Sequence, residues 1–121
     1  MPLLTADSSL DPVALTQVPD QFIVFYSSIV DGRMWCPDCR DVDQLIQDTF
    51  ESEGSPSALI VYVGDRTQWK SPSNIYRAEP WNIQSIPTIV KLKNGSQEGR
   101  LILNEINERL QPFIGSDGMK G

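Results

Sequence analysis

Two stretches of the chain are apolar without interruption, Phe22-Ile23-Val24-Phe25-Tyr26 and Ala58-Leu59-Ile60-Val61-Tyr62-Val63. Both are rich in β-branched and aromatic residues, and continuous rather than alternating apolarity marks a strand covered on both faces. The second run is the best candidate for a central parallel partner of the first. Between them the period changes. Val42, Leu45, Ile46, Thr49 and Phe50 fall at the i, i+3, i+4, i+7, i+8 spacing of one buried helical stripe. Asp41, Asp43, Gln44, Gln47, Asp48 and Glu51 take the opposite face. This predicts an amphipathic helix that starts at Pro37 and stops at the turn Glu53-Gly54-Ser55-Pro56.

The flanks are read in the same way. Asp11-Pro12 pairs an N-cap with proline at the first helical position, so a short helix through Val13, Ala14 and Val18 is expected, ended by Pro19. Leu3-Leu4 reads as a brief edge strand. Residues 27–34 form a polar, Gly-containing and mobile loop, and Gly64–Asn74 a second polar loop that carries Trp69-Lys70. Ser73 or Asn74 caps a short helix through Ile75 and Trp81. Ile86–Leu92 is a strand with Pro87 near its beginning, where a missing N–H is tolerated. Asn94-Gly95 signals a hairpin, and Arg100–Leu103 is the returning strand. Asn104 caps a last helix that buries Ile106, Leu110 and Phe113 or Ile114. Strands alternating with helices predict an α/β fold in which helices sandwich a central mixed sheet. At 121 residues the chain makes one domain over 1–121, with a core at about 10–114 and a flexible tail at 115–121.

Charge removes some functions. A formal net charge of −6 argues against nucleic acid and against an anionic membrane surface as partners. No run is long enough for a membrane span, and residues 1–10 lack the pattern of a signal peptide. A cytoplasmic protein is therefore expected.

The chemistry lies in Trp35-Cys36-Pro37-Asp38-Cys39, which holds both cysteines. In a reducing compartment such a pair points to catalysis or metal binding rather than to a structural staple. The chain has no histidine, which excludes Cys-His and Ser-His catalysis and any Cys₂His₂ zinc site. Two thiolates with two carboxylates stay possible in principle as metal ligands, although none is expected. Cys36 stands at the helix start, where unpaired N–H groups and the positive dipole end favour a thiolate. Cys39 lies on the same face and continues into the buried stripe through Val42 and Ile46, so it is expected to be the less exposed thiol. That order makes Cys36 the attacking sulfur and Cys39 the one that resolves the mixed disulfide. Pro37 suits a first helical turn with no further role. Asp38 has two readings: an acid favourable to the helix dipole but opposed to a neighbouring thiolate, or a proton acceptor for Cys39.

A Cys-x-x-Cys at a strand-to-helix junction, an Ile86-Pro87-Thr88 strand start about fifty residues later, a hairpin and a closing helix together resemble thioredoxin over about residues 10–114. The Trp-Cys-Pro-Asp-Cys motif, the long loop before it and Trp69-Lys70-Ser71-Pro72-Ser73-Asn74 are similar to the thioredoxin domain-containing protein 17 group. The resemblance implies a thioredoxin fold and a thiol-disulfide oxidoreductase. Its substrates would be small disulfides such as cystine, S-nitrosothiols and protein disulfides. No cofactor would be bound; the redox-active disulfide would take electrons from NADPH through thioredoxin reductase. The chain itself carries no dinucleotide-binding glycine fingerprint. Carried over by motif position, Cys36 attacks, Cys39 resolves, Pro37 and Asp38 tune the potential, and Pro87 is a cis-proline beside them. A cis-Pro87 would set the Ile86 backbone next to Cys36 to pair with an extended substrate. Trp35 is expected in the apolar rim of the site. Trp69 and Lys70 are either surface loop residues or a substrate-selecting edge. One departure stands out. Ordinary thioredoxin has a buried aspartate in the strand before the motif, and Phe22–Tyr26 has no acid, so any proton-accepting role falls to Asp38 or water.

Two other readings remain at this level. One is a redox-regulated binding module whose dithiol only switches partner affinity. The other is a peroxidase-type thiol enzyme, which would require an arginine such as Arg33 or Arg40 at Cys36.

Overall fold

The computed structural model describes residues 3–5, 22–51, 56–78, 81–93, 96–102 and 105–115. In chain order these form β1 (Leu3–Thr5), β2 (Phe22–Tyr26), β3 (Ile29–Val30), β4 (Arg33–Met34), α1 (Pro37–Glu51), β5 (Ala58–Tyr62) and α2 (Arg66–Lys70). A single 3₁₀ turn (Ile75–Arg77), β6 (Thr88–Lys93), β7 (Ser96–Ile102) and α3 (Glu105–Gly115) complete them. The expected helix at 11–19, the turn at 53–55, the Asn94-Gly95 turn, the Asn104 cap and the tail beyond 115 lie outside the described residues.

The main sheet has the order β1-β5-β2-β6-β7. β5 runs parallel to both β1 and β2, with Phe22 opposite Ala58 and Tyr26 opposite Tyr62. β6 runs antiparallel to β2 and to β7. β2 is thus central, and all five of its residues are buried. Because side chains alternate along a strand, its two faces have separate partners. Phe22 meets Phe50 of α1 and Phe113 of α3, with ring centroids 5.4 and 5.7 Å apart. Phe25, on the other face, meets Tyr76 and Trp81 at 5.7 and 5.5 Å. Full burial of one such ring is worth about 1.5–3 kcal/mol. The continuous apolarity of β2 therefore reports its cover on both faces. This is the thioredoxin fold, with a central mixed sheet flanked by helices.

Several local expectations are corrected. Residues 27–34 contain the small hairpin β3–β4, turned through Asp31 and Gly32, both at positive φ (55° and 87°). The 64–74 loop contains α2, entered through a capping box in which Asp65 accepts from Gln68 N and the Gln68 side chain accepts from Asp65 N, each at 2.8 Å. Asn74 does cap the next segment, accepting from Tyr76 N at 2.9 Å, but the segment is one 3₁₀ turn and Trp81 lies beyond it. β7 begins at Ser96 rather than Arg100, because an edge strand next to solvent accommodates polar Gln97 and Glu98. Lys91 sits almost fully buried within β6. Its ammonium reaches the Phe113 carbonyl at 3.3 Å and Glu98 at 3.9 Å, with the Phe22 and Phe113 ring centroids 6.0 and 5.9 Å away.

Candidate active site

The C-terminal end of β2 delivers the chain to the start of α1, and both cysteines sit there, free and buried. The first i→i+4 bond of the helix runs from Arg40 N to Cys36 O at 3.2 Å, which makes Cys36 the capping residue and puts Cys39 in the first turn. Ser27, fully buried just after β2, ties the two together. Its hydroxyl accepts from Cys36 N at 3.2 Å, and its amide donates to Cys39 Sγ at 3.4 Å. Sequence reasoning placed Ser27 in a loop and assigned it nothing.

On the opposite side, the peptide bond between Ile86 and Pro87 is cis, and Cys36 Sγ lies 4.0 Å from the Ile86 carbonyl oxygen. The Thr88 hydroxyl donates to Ser85 O at 2.6 Å and braces this turn. The expected order of exposure holds, with Cys36 at 7% and Cys39 at 0%, but Cys36 is itself recessed rather than openly exposed. The fold brings the Ile86 backbone and the buried Ser27 against it.

Burial pushes the Cys39 thiol up to about 12; the Ser27 amide pulls it back in part, and the adjacent Cys36 sulfur raises it further. A group on the neighbouring strand shares this environment. Burial, together with the carboxylate of Asp43, holds the Tyr26 phenol well above its ordinary range. The Tyr26 hydroxyl is buried and has no hydrogen-bond partner of acceptable geometry. Asp43 also raises half-buried Tyr62, after burial, and is itself held by Gln47 Nε2 at 2.7 Å. Asp43 thus stands beside the two tyrosines, four residues beyond Cys39 on α1.

The rim is built by contacts distant in sequence. The Trp35 indole N–H donates to Gly64 O at 2.9 Å, while Gly64 N donates to the Ser28 hydroxyl at 2.9 Å. Gly64 has φ +118°, a conformation L side chains rarely adopt, and a Cβ there would fall 2.8 Å from Gln68. Arg66 of α2 stacks over Trp35, its guanidinium carbon 4.8 Å from the ring centroid. Pro37 and Asp38 are exposed on the first turn of α1, and Ile29 and Val30 are exposed on the β3–β4 hairpin. Trp69 belongs to the core, at 5% exposure, with Arg77 stacked 3.9 Å above it and bonded to its carbonyl at 2.7 Å; Lys70 beside it is exposed. The Asp65-x-x-Gln68 pattern was the signal for α2.

Among the described residues, no group of three or more His, Cys, Asp or Glu side chains converges as a metal site would require. Nor, among them, is any helix long and apolar enough to cross a membrane.

Comparison with known proteins agrees with this geometry. A thioredoxin-like protein Clot of Arabidopsis thaliana is 31% identical over 104 residues, spanning 80% of this chain and 78% of that protein. The Clot protein of Oryza sativa is 34% identical over 76 residues, spanning 58% of this chain and 55% of its own length, so the match takes in about half of that relative. Mouse thioredoxin domain-containing protein 17 is 31% identical over 67 residues, 54% of this chain and 53% of that one. Among solved structures, a Plasmodium falciparum thioredoxin superposes with a TM-score of 0.64 at 18% identity, covering 94% of this chain and 97% of that one. Residues 11–110 match the family described as thioredoxin domain-containing protein 17-like, thioredoxin domain. The chain belongs to that family of the thioredoxin superfamily, with a dithiol where its redox centre would stand.

Proposed function

We propose that the protein is a thiol-disulfide oxidoreductase working through Cys36 and Cys39. The observation that carries this reading is the pair of reduced cysteines at the start of α1, held between Ser27 and the Ile86 carbonyl. The Cys36 thiolate attacks one sulfur of a substrate disulfide; the substrate S–S bond breaks, and the departing thiolate takes up a proton. Cys39 then gives up its proton and attacks Cys36 Sγ, which releases the second thiol and leaves a Cys36–Cys39 disulfide. Two electrons have passed to the substrate. They are restored from NADPH by a separate thioredoxin reductase, with no cofactor bound to this chain.

In this reading Ile86 and Pro87 present backbone to the substrate and Trp35 supplies the apolar rim. Pro37 and Asp38, at the exposed first turn, tune the pair. The substrates are small disulfides such as cystine, S-nitrosothiols and protein disulfides, and the compartment is the cytoplasm. Lys70, exposed at the end of α2, stands at the substrate-selecting edge, while Trp69, packed in the core, serves to seat α2.

The test is NADPH consumption in a coupled assay with thioredoxin reductase, offering cystine, insulin and a nitrosothiol in parallel. Cys36→Ser is expected to abolish turnover. Cys39→Ser is expected to accumulate a mixed disulfide that mass spectrometry detects under non-reducing conditions. Full turnover by Cys36→Ser sinks the mechanism. A second reading, a binding module switched by the dithiol, draws support from the exposed Ile29 (56%) and Val30 (41%) beside the motif. It predicts partner binding that persists in the double Cys→Ser variant and no disulfide turnover.

A further inference from the structure

One cavity beside Trp35 is unused by the mechanism above. Val30, Trp35, Asp65, Arg66 and Thr67 line an open pocket of about 240 Å³. Val30 and Trp35 supply its apolar lining, and Trp35 immediately precedes Cys36 in the chain. Its cation is Arg66, and the way that residue is held is informative. The guanidinium lies over the Trp35 ring, and its Nη2 is 3.5 Å from the Trp35 carbonyl, at the outer limit for a hydrogen bond. Among the described residues it has no carboxylate partner within ion-pair distance, even though Asp65 is its chain neighbour. The Asp65 carboxylate is instead committed to capping α2 through Gln68 N.

Stacking orients the planar fork of an arginine while leaving its N–H donors free, the arrangement that recognises a carboxylate. The rest of the protein makes this cation more selective. With a net charge of −6 the overall field repels anions, so an anionic substrate needs a local positive group to settle beside the thiol. Arg33 and Arg40 are also exposed near the motif in sequence, but neither lines this cavity.

We propose that Arg66, stacked on Trp35, is a specificity-determining residue that binds a carboxylate on the substrate disulfide. It forms, with Val30 and Thr67, a subsite for one half of a small, acid-bearing disulfide. The proposal rests on the oxidoreductase reading and deepens it. Arg66 takes no part in bond making or breaking; it holds the carboxylate so that the adjacent disulfide sulfur faces Cys36.

The test uses the pre-reduced full chain in single-turnover reactions, so that no reductase contact enters the result. Three probes separate the charges: 3,3′-dithiodipropionate carries carboxylates only, cystine carries carboxylates and ammoniums, and cystamine carries ammoniums only. Second-order oxidation rates are read from tryptophan fluorescence for wild type, Arg66→Gln, Arg66→Lys and, as a control, Arg40→Gln. The expected result for Arg66→Gln is a drop of about tenfold in the dithiodipropionate-to-cystamine rate ratio, of the size a charge-assisted contact produces. A similar drop is expected in the cystine-to-cystamine ratio. Arg66→Lys should recover part of it, and Arg40→Gln should leave both ratios unchanged. Ratios that stay at the wild-type value in Arg66→Gln overturn the proposal, whether the rates themselves are unchanged or fall equally on all three probes. If the reduced wild-type protein reacts with none of the three, the oxidoreductase reading itself fails and takes this subsite with it.

Discussion

Replacing Ser27 with alanine removes one hydroxyl and tests how the dithiol is held. That hydroxyl is the acceptor for Cys36 N, at 3.2 Å, in a position with no solvent exposure. Without it, the N–H at the cap of α1 is left buried and unpaired, which costs about 1–3 kcal/mol. Alanine partly offsets this because it brings no polar atom of its own into the core, so the net loss is expected at about 1–2 kcal/mol. For a domain of 121 residues that corresponds to a fall in Tm of roughly 3–10 °C. A kinetic effect accompanies it. The Ser27 hydroxyl helps its amide lower the Cys39 thiol against the effect of burial. Ser27→Ala keeps the amide contact but loses the hydroxyl, so Cys39 ionises less readily and the mixed disulfide survives longer before resolution. Calorimetry of the reduced protein gives the first quantity, and stopped-flow decay of a mixed disulfide gives the second. A Tm within about 1 °C of wild type, together with an unchanged resolution rate, would refute the reasoning. It would mean that the cap N–H finds another partner and that Cys39 does not depend on Ser27.

Three other outcomes follow from the same geometry. Tyr26→Phe removes a buried hydroxyl with no hydrogen bond, so urea unfolding should show stability unchanged or raised by about 1 kcal/mol; a clear loss would show that Asp43 holds the phenol. Gly64→Ala forces a Cβ to within 2.8 Å of Gln68 at φ +118°, and should cost about 1–3 kcal/mol or more while loosening the Trp35 contact; an unaltered urea midpoint and tryptophan spectrum would contradict this. In a Cys36→Ser background, where Cys39 is the one remaining thiol, the raised Cys39 pKa fixes a pH dependence. Burial still raises the thiol without Cys36, and the folded state keeps its proton where the unfolded chain releases it, so the stabilisation is complete below about pH 9 and lost as pH rises through the raised folded-state value. The slope is about 1.4 kcal/mol per pH unit at most, measured as the difference in urea midpoint from the Cys36→Ser/Cys39→Ser variant between pH 8 and 11. Coincident slopes in the two variants would show that Cys39 is not shielded.

What the residues alone determined was whatever depends on local period and on chemical type. Continuous apolarity at 22–26 and 58–62 specified two covered strands, the stripe from Val42 to Phe50 specified α1, and the spacing of Cys36 and Cys39 within one helical turn specified a dithiol with Cys39 beneath. The absence of histidine narrowed the chemistry to sulfur. These signals are one-dimensional, so they survive without a partner. Tertiary structure decided the rest, because the partners stand far apart in the chain. Cys36 meets Ser27 at a separation of 9 residues, Trp35 meets Gly64 at 29 and Cys36 meets Ile86 at 50. No period encodes which serine accepts the cap N–H, which carbonyl anchors the indole, or which arginine stacks on it. Trp69 shows the same limit from the other side. In sequence it is an aromatic within a polar stretch, and only the packing of α2 onto the core, with Arg77 laid over the ring, makes it an interior residue. Local patterning thus placed the two sulfurs on their helix, and long-range packing chose the groups that hold, recess and surround them.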